Sequence, residues 1–281
     1  MIKKSKTSVF LLAPFLIVVL IYELLTLGQL VLNSFLQKKN HTITLEYYIR
    51  IFTTPVYLQA IQNSIRISLI SALIGLSVAF FAGKAYFESD GKLKQFFYLV
   101  LNMTSNFSGV PLTFAFMILM GNTGVLTLLL QESGLGGDFN LYSGNGLLLV
   151  YIYFQIPLAT LLLLPAFLGL KKEWREAATI LNASSFSYWW KIGIPNLLPS
   201  ILGTLSVLFA NALAAYATAY ALILNNYALL SLQISSKFKG DVKIDKQMGG
   251  ALAVVLILFM VLSTLFNNYL TRRSGKGRTL V

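Results

Sequence analysis

Residues 171–196 read KKEWREAATILNASSFSYWWKIGIPN and connect two long runs that carry no charge. Glu176, Ala177 and Ala178, with lysine and arginine close by, favour helix. Asn182 marks the expected end of this helix, because asparagine tolerates the left-handed conformation that terminates many helices. The first half of the stretch therefore predicts a short helix closed by a turn.

The second half predicts another short helix. Ser184 or Ser185 can cap its beginning, since a serine hydroxyl accepts a hydrogen bond from a free amide of the first turn. The helix would cover about 186–193, and Pro195 would end it because proline lacks an amide donor. The whole stretch is typical of helix, turn, helix, although an ordinary connecting loop is the alternative that the pattern alone leaves open.

The apolar runs on both sides of this stretch are long enough to cross a membrane. A membrane helix needs about 20 consecutive apolar residues, and the predicted spans are about 9–32, 67–87, 96–120, 146–170, 197–222 and 248–270. Hydrophobic residues make up 56% of the chain and charged residues only 11%, against about 25% charged residues in soluble domains. The chain is therefore predicted to be an all-α, polytopic membrane protein.

Composition also excludes several kinds of chemistry. The sequence has no cysteine and one histidine, His41, so thiolate sites, histidine zinc sites and Ser-His-Asp triads are not expected. It contains no G-x4-G-K-[ST] phosphate loop, so ATP would have to bind another chain. We therefore expect no catalytic residue, metal site or cofactor in this chain, and no nucleic-acid partner despite the net charge of +12.

Basic residues indicate the topology. Six spans put both termini on one side, and Lys and Arg concentrate on the cytoplasmic side of membrane proteins. The segments on the side of the termini and of 171–196 hold 14 basic residues, and the opposite segments hold 8. This favours N-in and C-in. Three regions are expected: a tail, first span and external segment over 1–62, a core over 63–270, and a basic cytoplasmic tail over 271–281.

A family resemblance rests on the 171–196 stretch. Permease subunits of binding-protein-dependent ABC importers carry a cytoplasmic E-A-A-x3-G-x9-I-x-L-P motif. The same spacing occurs here between the fourth and fifth spans, with Glu176-Ala177-Ala178, Asn182 at the glycine position, Ile192, and Ile194-Pro195 at the Leu-Pro position. The departures are Ile for Leu and Asn for Gly, and Asn tolerates positive φ. The chain thus resembles the transmembrane subunit of a type I ABC importer.

The resemblance implies a mechanism and a set of partners. In that family the motif forms a coupling helix that docks on a separate ATPase subunit, which binds ATP and magnesium. A second permease subunit, identical or paralogous, completes the pathway. An extracellular or periplasmic solute-binding protein delivers the solute to this multi-pass complex in the bacterial plasma membrane. By their places in the motif, the implied coupling residues are Glu176, Ala177, Ala178, Asn182, Ala183, Ile192 and Pro195.

Polar residues inside the spans are candidates for the solute pathway. They could line it or could hydrogen-bond neighbouring helices, and they are Asn102, Ser105, Asn106, Gln155, Asn211 and Tyr216. Glu23 lies in the first span and is a functional candidate, because a carboxylate inside a membrane is costly. The alternative is that the first span is shifted, so that Glu23 lies near the outer interface.

The substrate is indicated only by resemblance. The segments 63–68, 109–111 and 249–251 look similar to those of polyamine, phosphonate, ferric-iron and sulfate permeases, and we favour the spermidine/putrescine-like branch. Spans two to six contain no carboxylate in their apolar runs, which argues against a high-affinity polyamine site within this subunit. A secondary transporter or a channel is the alternative from another class. Neither needs a coupling loop, and the inverted repeats of many secondary transporters are not evident.

Overall fold

The computed structural model describes residues 6–37, 42–134, 139–224, 226–239 and 244–276. His41 lies outside these residues. Helices account for nearly all of the described chain, which contains no strand, only an isolated bridge between Leu36 and Ile43. The prediction of an all-α protein is therefore confirmed.

The helices of the described residues follow one another with short connections. In chain order they are α1 (Lys6–Phe35), α2 (Glu46–Thr53), α3 (Pro55–Glu88), α4 (Lys92–Ser105), α5 (Gly109–Met120), α6 (Val125–Glu132), α7 (Gly144–Leu168), α8 (Lys172–Ile180), α9 (Ser185–Tyr188), α10 (Ile194–Ala214), α11 (Tyr216–Ile223), α12 (Leu230–Lys239) and α13 (Lys246–Lys276). A five-residue π-helical turn, Trp189–Gly193, joins α9 to α10.

Six helical segments in the described chain are long and apolar enough to cross a membrane, as the sequence predicts. They are Ala13–Phe35, Pro55–Glu88, Gly109–Glu132, Gly144–Leu168, Ser185–Ala214 and Lys246–Thr271. Within α3, Arg66 and Lys84 bound a charge-free stretch. At about 1.5 Å per residue, they lie roughly 27 Å apart, which is close to the hydrocarbon thickness of about 30 Å.

The predicted third span, 96–120, is wrong as a single helix. α4 ends at Ser105 and α5 begins at Gly109, which has a φ of +70°. Glycine adopts such a φ at no steric cost, and it can therefore change the chain direction inside an apolar segment. The segment that is long and apolar enough to cross a membrane is Gly109–Glu132, which consists of α5, a turn at 121–124 and α6.

The predicted fifth span, 197–222, is also interrupted. Ala215 has a ψ of 69°, which takes the backbone out of the helical region between α10 and α11. The hydroxyl of Tyr151 donates to the carbonyl oxygen of Ala215 at 2.6 Å. This bond ties the backbone at the break to α7.

One compact unit comprises Met1–Leu58 and Gln233–Ile257. In this unit α1 approaches α13 closely, because a Cβ atom at Gly250 would lie only 2.8 Å from the carbonyl oxygen of Leu30. The hydroxyl of Tyr48 donates to the hydroxyl oxygen of Ser34 at 2.8 Å. α2 is thereby fixed to the end of α1.

The other compact unit comprises Gln59–Leu232 and Leu258–Val281. α7 runs through its core, and both α4 and α10 pack against α7. One buried cluster includes Tyr151 from α7, and a second includes Phe167 at the other end of the same helix. The second cluster also contains residues of the 171–196 stretch, so that stretch is part of the folded core rather than a loose connection.

The seam between α3 and α7 has no spare room. A Cβ atom at Gly75 would lie 2.9 Å from the Cβ of Gln155, and one at Gly83 would lie 2.5 Å from the ring of Phe167. The side-chain amide of Gln155 donates to the hydroxyl of Ser71 at 3.0 Å. Small residues on α3 therefore bring the two helices into close contact at two levels.

Two polar residues near the beginning of α3 hold the chain that leads into α12. The side-chain amide of Asn63 donates to the carbonyl oxygen of Ala228 at 3.0 Å. The backbone amide of Leu230 donates to the buried hydroxyl of Ser64 at 2.8 Å. This amide opens α12 and has no partner within its own helix, so Ser64 caps α12 from another helix.

Replacing Ser64 by alanine should destabilise the protein, because it leaves the buried amide of Leu230 without an acceptor. Such a loss costs about 1–3 kcal/mol, and we expect a lower melting temperature in detergent. Ser77→Ala is the matched control, since the exposed Ser77 hydroxyl bonds only within α3, to the carbonyl of Leu73. Equal melting temperatures for Ser64→Ala and Ser77→Ala would contradict the assigned role.

Candidate functional site

The turn at Asn182 closes α8 in the way that the sequence predicts. Asn182 has a φ of +53°. The amide of Ala183 donates to the carbonyl oxygen of Ala178 at 2.9 Å. The amide of Asn182 donates to the carbonyl oxygen of Thr179 at 3.0 Å. This pair of bonds is the Schellman motif, in which a left-handed residue ends a helix and reverses the chain. The predicted helix end is therefore confirmed.

The second short helix begins as predicted but does not end at Pro195. The hydroxyl of Ser184 accepts a hydrogen bond from the amide of Ser187 at 3.2 Å and so caps α9. In the π-helical turn the amide of Ile194 donates five residues back, to the carbonyl of Trp189. This wider turn accommodates proline at the second position of α10, where the missing amide costs little. The chain thus continues as helix into the membrane segment.

The predicted coupling residues differ in their exposure. Glu176, Ala177, Asn182 and Ala183 are exposed, and Ile192 and Pro195 are half-buried. Ala178 is only 8% exposed, and it packs with Tyr188 and Trp189 in the core of this chain. Ala178 is one of the implied coupling residues, but its side chain faces the core of this chain rather than a partner. Its small side chain lets α8 lie close to α9.

Four large apolar side chains of the same stretch are strongly exposed. We name this set the apolar patch: Ile180, Leu181, Phe186 and Trp190, which are 82%, 80%, 77% and 65% exposed. The rings of Phe186 and Trp190 stack with an interplanar angle of 9°. The sequence prediction does not include these residues among the coupling residues. Large apolar side chains on a polar connecting stretch nevertheless indicate a contact surface.

A groove lies between α8 and the segment 183–196 that contains α9 and the π-helical turn. Its cavity of about 500 Å³ is lined on one side by Trp174, Ala177 and Leu181, and on the other by Tyr188 and Lys191, among others. The lining is mostly apolar, with the lysine ammonium as the one charge among these side chains. Leu181 belongs both to this groove and to the apolar patch, so the two form a continuous surface.

The stretch is anchored to the end of α3. The ring of Trp189 packs edge-on against Phe80 and Phe87, and the ammonium of Lys84 lies 5.1 Å from its centroid. Arg175 and Glu88 form an ion pair with an N–O distance of 3.6 Å, but both are solvent-accessible, and such surface pairs contribute little. The orientation of the stretch therefore depends chiefly on the aromatic packing around Trp189.

Three of the predicted pathway residues lie at the break between α4 and α5. Asn102 and Ser105 are in the last turns of α4 and are half-buried, and Asn106 follows them and is exposed. Non-helical backbone within the membrane is tolerated only where protein or a water-filled cavity satisfies it. Asn106, in the break itself, is the most exposed of the three.

Two other predicted residues lie at the break between α10 and α11. Asn211 is exposed in the last turn of α10, and Tyr216 opens α11 and stacks on Tyr220. This break is close to the first one, because a Cβ at Gly109 would lie 3.8 Å from the Cβ of Ala217. The fold thus brings five of the six predicted pathway residues to two adjacent helix breaks.

Gln155 does not belong to this group. It is fully buried, and its amide donates to Ser71 in the seam between α3 and α7. A side chain without exposed surface cannot contact a passing solute, and the prediction that Gln155 lines the pathway is corrected on that ground. Its alternative role, hydrogen bonding between helices, is the one that the structure supports.

A family model matches most of the chain. The model is described as binding-protein-dependent transport system inner membrane component, and it matches residues 75–276. This range includes the whole 171–196 stretch, both helix breaks and most of the apolar segments described above.

Two relatives have similar sequences. The thiamine transport system permease protein ThiP of Escherichia coli (strain K12) is 27% identical over 153 residues, which are 54% of this chain and 28% of ThiP. The probable sulfate transport system permease protein cysT of Anthoceros angustus is 27% identical over 200 residues, which are 66% of this chain and 64% of that protein. The match therefore spans less than a third of the length of ThiP and just under two thirds of the sulfate permease.

Solved structures share the fold. A bacterial ABC transporter involved in the import of the acidic polysaccharide alginate contains a chain with a TM-score of 0.77 and 18% identity, covering 96% of this chain and 98% of that one. The MetNI methionine ABC transporter in an inward-facing conformation gives a TM-score of 0.62 and 13% identity, covering 79% and 99%. At these identities the likeness concerns the fold.

Proposed function

Since the chain belongs to the family of binding-protein-dependent transport system inner membrane components, and is thus a multi-pass permease subunit of an ABC importer, we propose that residues 171–196 couple it to a separate ATPase. The observation that carries this proposal is the exposed apolar patch next to the groove. Ile180 and Leu181 precede the membrane segment Ser185–Ala214, and exposed apolar side chains outside the membrane mark a site of protein contact. The ATPase, not this chain, binds ATP and magnesium in this scheme.

The connections of the stretch explain how docking could move the membrane helices. Trp189 lies in the π-helical turn, which continues without a break into α10. The same ring packs against Phe80 and Phe87 near the end of α3. A displacement of the apolar patch is therefore passed to two membrane helices at once, through packed contacts rather than through a flexible linker.

The two adjacent helix breaks are the proposed solute pathway. Broken helices with polar neighbours form substrate sites in other transporters, because their backbone groups are free to bind. The residues that we assign to the pathway here are Asn102, Ser105, Asn106, Asn211 and Tyr216. All five are uncharged, which suits passage of a solute rather than its tight retention.

The proposed solute is a small anion of the sulfate or phosphonate type. α5 and α11 begin at the breaks, and the positive ends of their dipoles favour negative charge. The names of the relatives refer to sulfate and thiamine, and the spermidine/putrescine-like branch gains no support from them. Ferric iron remains an alternative from the sequence resemblance.

The proposed partners complete the importer. They are the ATPase subunits, a second permease subunit and an extracellular or periplasmic solute-binding protein, in a bacterial plasma membrane. A solved alginate transporter of the same fold is described in complex with a periplasmic protein, which supports the kind of partner.

Solute uptake by the reconstituted complex tests the proposal. Proteoliposomes that contain all subunits should accumulate the solute only with ATP and the binding protein present. The purified chain without its partners should hydrolyse no ATP above background. ATP turnover that persists after removal of every other subunit would overturn the assignment.

The proposed topology can be tested by labelling, because the chain has no native cysteine. We expect 88–95 and 171–196 inside, and 33–66, 121–145 and 223–247 outside. In intact cells an impermeant thiol reagent should label Ser133→Cys and should leave Ser185→Cys unlabelled until the membrane is opened. Both positions are exposed. Labelling of Ser185→Cys from outside would reverse the orientation.

A further inference from the structure

An apolar groove runs along the last membrane segment, and we name it the membrane groove. Its cavity of about 360 Å³ is lined by residues of α3, α10 and α13, and on α13 these extend from Phe259 to Leu270. That distance is roughly 17 Å at about 1.5 Å per residue. Two of the lining residues, Leu262 and Phe266, are 51% and 65% exposed. The membrane groove is therefore open to the surface of the helices.

The walls of the membrane groove are mostly apolar and are held by direct contacts. Nine of the twelve lining residues are apolar, and all twelve belong to the compact unit that contains α7. The hydroxyl of Ser206 donates to the carbonyl oxygen of Ser263 at 3.3 Å. A Cβ atom at Gly203 would lie 3.9 Å from the side-chain nitrogen of Asn267. α10 and α13 therefore touch at two levels, which fixes the position of these walls.

The dimensions of the membrane groove suit a single hydrocarbon chain. A cavity of about 360 Å³ over roughly 17 Å has a mean cross-section of roughly 20 Å². A helix with its side chains is about 10–12 Å across and fills roughly 80–110 Å². An extended acyl chain is several times thinner than a helix. The length also fits, because one leaflet of the hydrocarbon layer is about 15 Å thick.

One end of the membrane groove lies next to a run of positive charge. Leu270 is followed by Thr271, where the last membrane segment ends. Residues 272–278 read RRSGKGR and contain four basic residues, and residues 271–281 contain no acidic one. Basic clusters directly after a membrane helix attract the headgroups of anionic lipids. The apolar walls thus end where the positive charge begins.

We propose that the membrane groove holds one acyl chain of an anionic phospholipid, whose phosphate lies at the level of Arg272 and Arg273. This rests on the proposed function only for the side of the membrane, since the proposed topology places this end in the cytoplasmic leaflet. The solute and the ATPase contact do not enter the argument. The proposal goes further by giving this subunit a lipid ligand at a named site.

The test is lipid retention by the purified full-length chain in detergent. The native chain should retain added phosphatidylglycerol through gel filtration in preference to phosphatidylcholine with the same acyl chains. Ser263→Phe should lower retained phosphatidylglycerol by fivefold or more, because the added ring fills the membrane groove. Thr264→Phe is the matched control and should change retention by less than twofold. Thr264 is exposed, does not line the groove, and bonds within α13 to the carbonyl of Met260.

A second variant tests the headgroup without changing the packed helices. Arg272→Gln combined with Arg273→Gln should remove the preference for phosphatidylglycerol and should leave total retained lipid within twofold of the native level. Equal retention of the two lipids by the native chain would contradict the proposal. A double variant that keeps the full preference would do so as well, and so would equal retention by Ser263→Phe and Thr264→Phe.

A membrane helix of another subunit is the competing occupant of the membrane groove. The chain has no native cysteine, so Leu262→Cys can carry a photoactivatable thiol reagent in the full importer. We expect adducts with lipid and no cross-link to another subunit. A cross-link to a second permease in high yield would assign the membrane groove to that subunit and overturn the proposal. Neither assay measures uptake or ATPase docking, so a failure here leaves the proposed function intact.

Discussion

Solute uptake should fall by about two orders of magnitude when Ile180 and Leu181 are both replaced by asparagine. These are the most exposed members of the apolar patch. Burying one such side chain contributes about 1.5–3 kcal/mol, and each 1.4 kcal/mol corresponds to about tenfold in affinity. Loss of both contacts should therefore separate the ATPase from the permease. The measurements are ATPase co-purification and uptake into proteoliposomes.

The matched control keeps the apolar surface and changes only its shape. Ile180→Leu with Leu181→Met should retain the ATPase and most of the uptake, because volume-conserving apolar replacements are tolerated. Both double variants replace exposed residues, so neither should alter the amount of folded protein. Normal co-purification of the ATPase with the asparagine variant would show that the apolar patch is not the docking surface.

Replacing Asn182 by valine should lower uptake by tenfold or more. Asn182 has a φ of +53°, where a β-branched residue is strongly disfavoured. The strain, of order 1–3 kcal/mol, would open the turn and the bond from Ala183 to Ala178. The apolar side chains on either side of the turn would then lose their relative orientation. Uptake at equal protein level is the measurement.

Asn182→Gly is the control for this change, because glycine adopts the same conformation without steric cost. It should keep uptake within about twofold of the native level. If the valine variant transports as well as the glycine variant, the angle between α8 and α9 has no part in coupling.

The local conformation of the 171–196 stretch was predictable because its causes are local. Asn182 and Ser184 act on amides and carbonyls within a few residues of themselves. The direction in which Ala178 faces was not predictable, since it depends on Tyr188 and Trp189, which only the fold brings close. Pro195 predicts a helix end that the structure does not have, for a similar reason. The π-helical turn before it provides room that no propensity encodes.

The helix breaks were harder to foresee than the number of spans. Hydropathy measures how apolar a segment is, and it is the same for a straight helix and a broken one. Gly109 marks one break by its residue type, but Ala215 carries no such mark. Its backbone is held by Tyr151, a residue 64 positions away whose hydroxyl donates to the Ala215 carbonyl. Such long-range contacts are invisible in a single sequence.

The tight seam between α3 and α7 limits how this subunit can change shape. Helices that interlock at Gly75 and again at Gly83 cannot slide past each other without clashes, so they should travel as one rigid body. In the proposed transport cycle, alternation between inward and outward access would occur at hinges. The non-helical backbone at 106–108 and at Ala215 is where dihedral angles can change most easily. Amide exchange should accordingly be fast at these two points and slow along the seam.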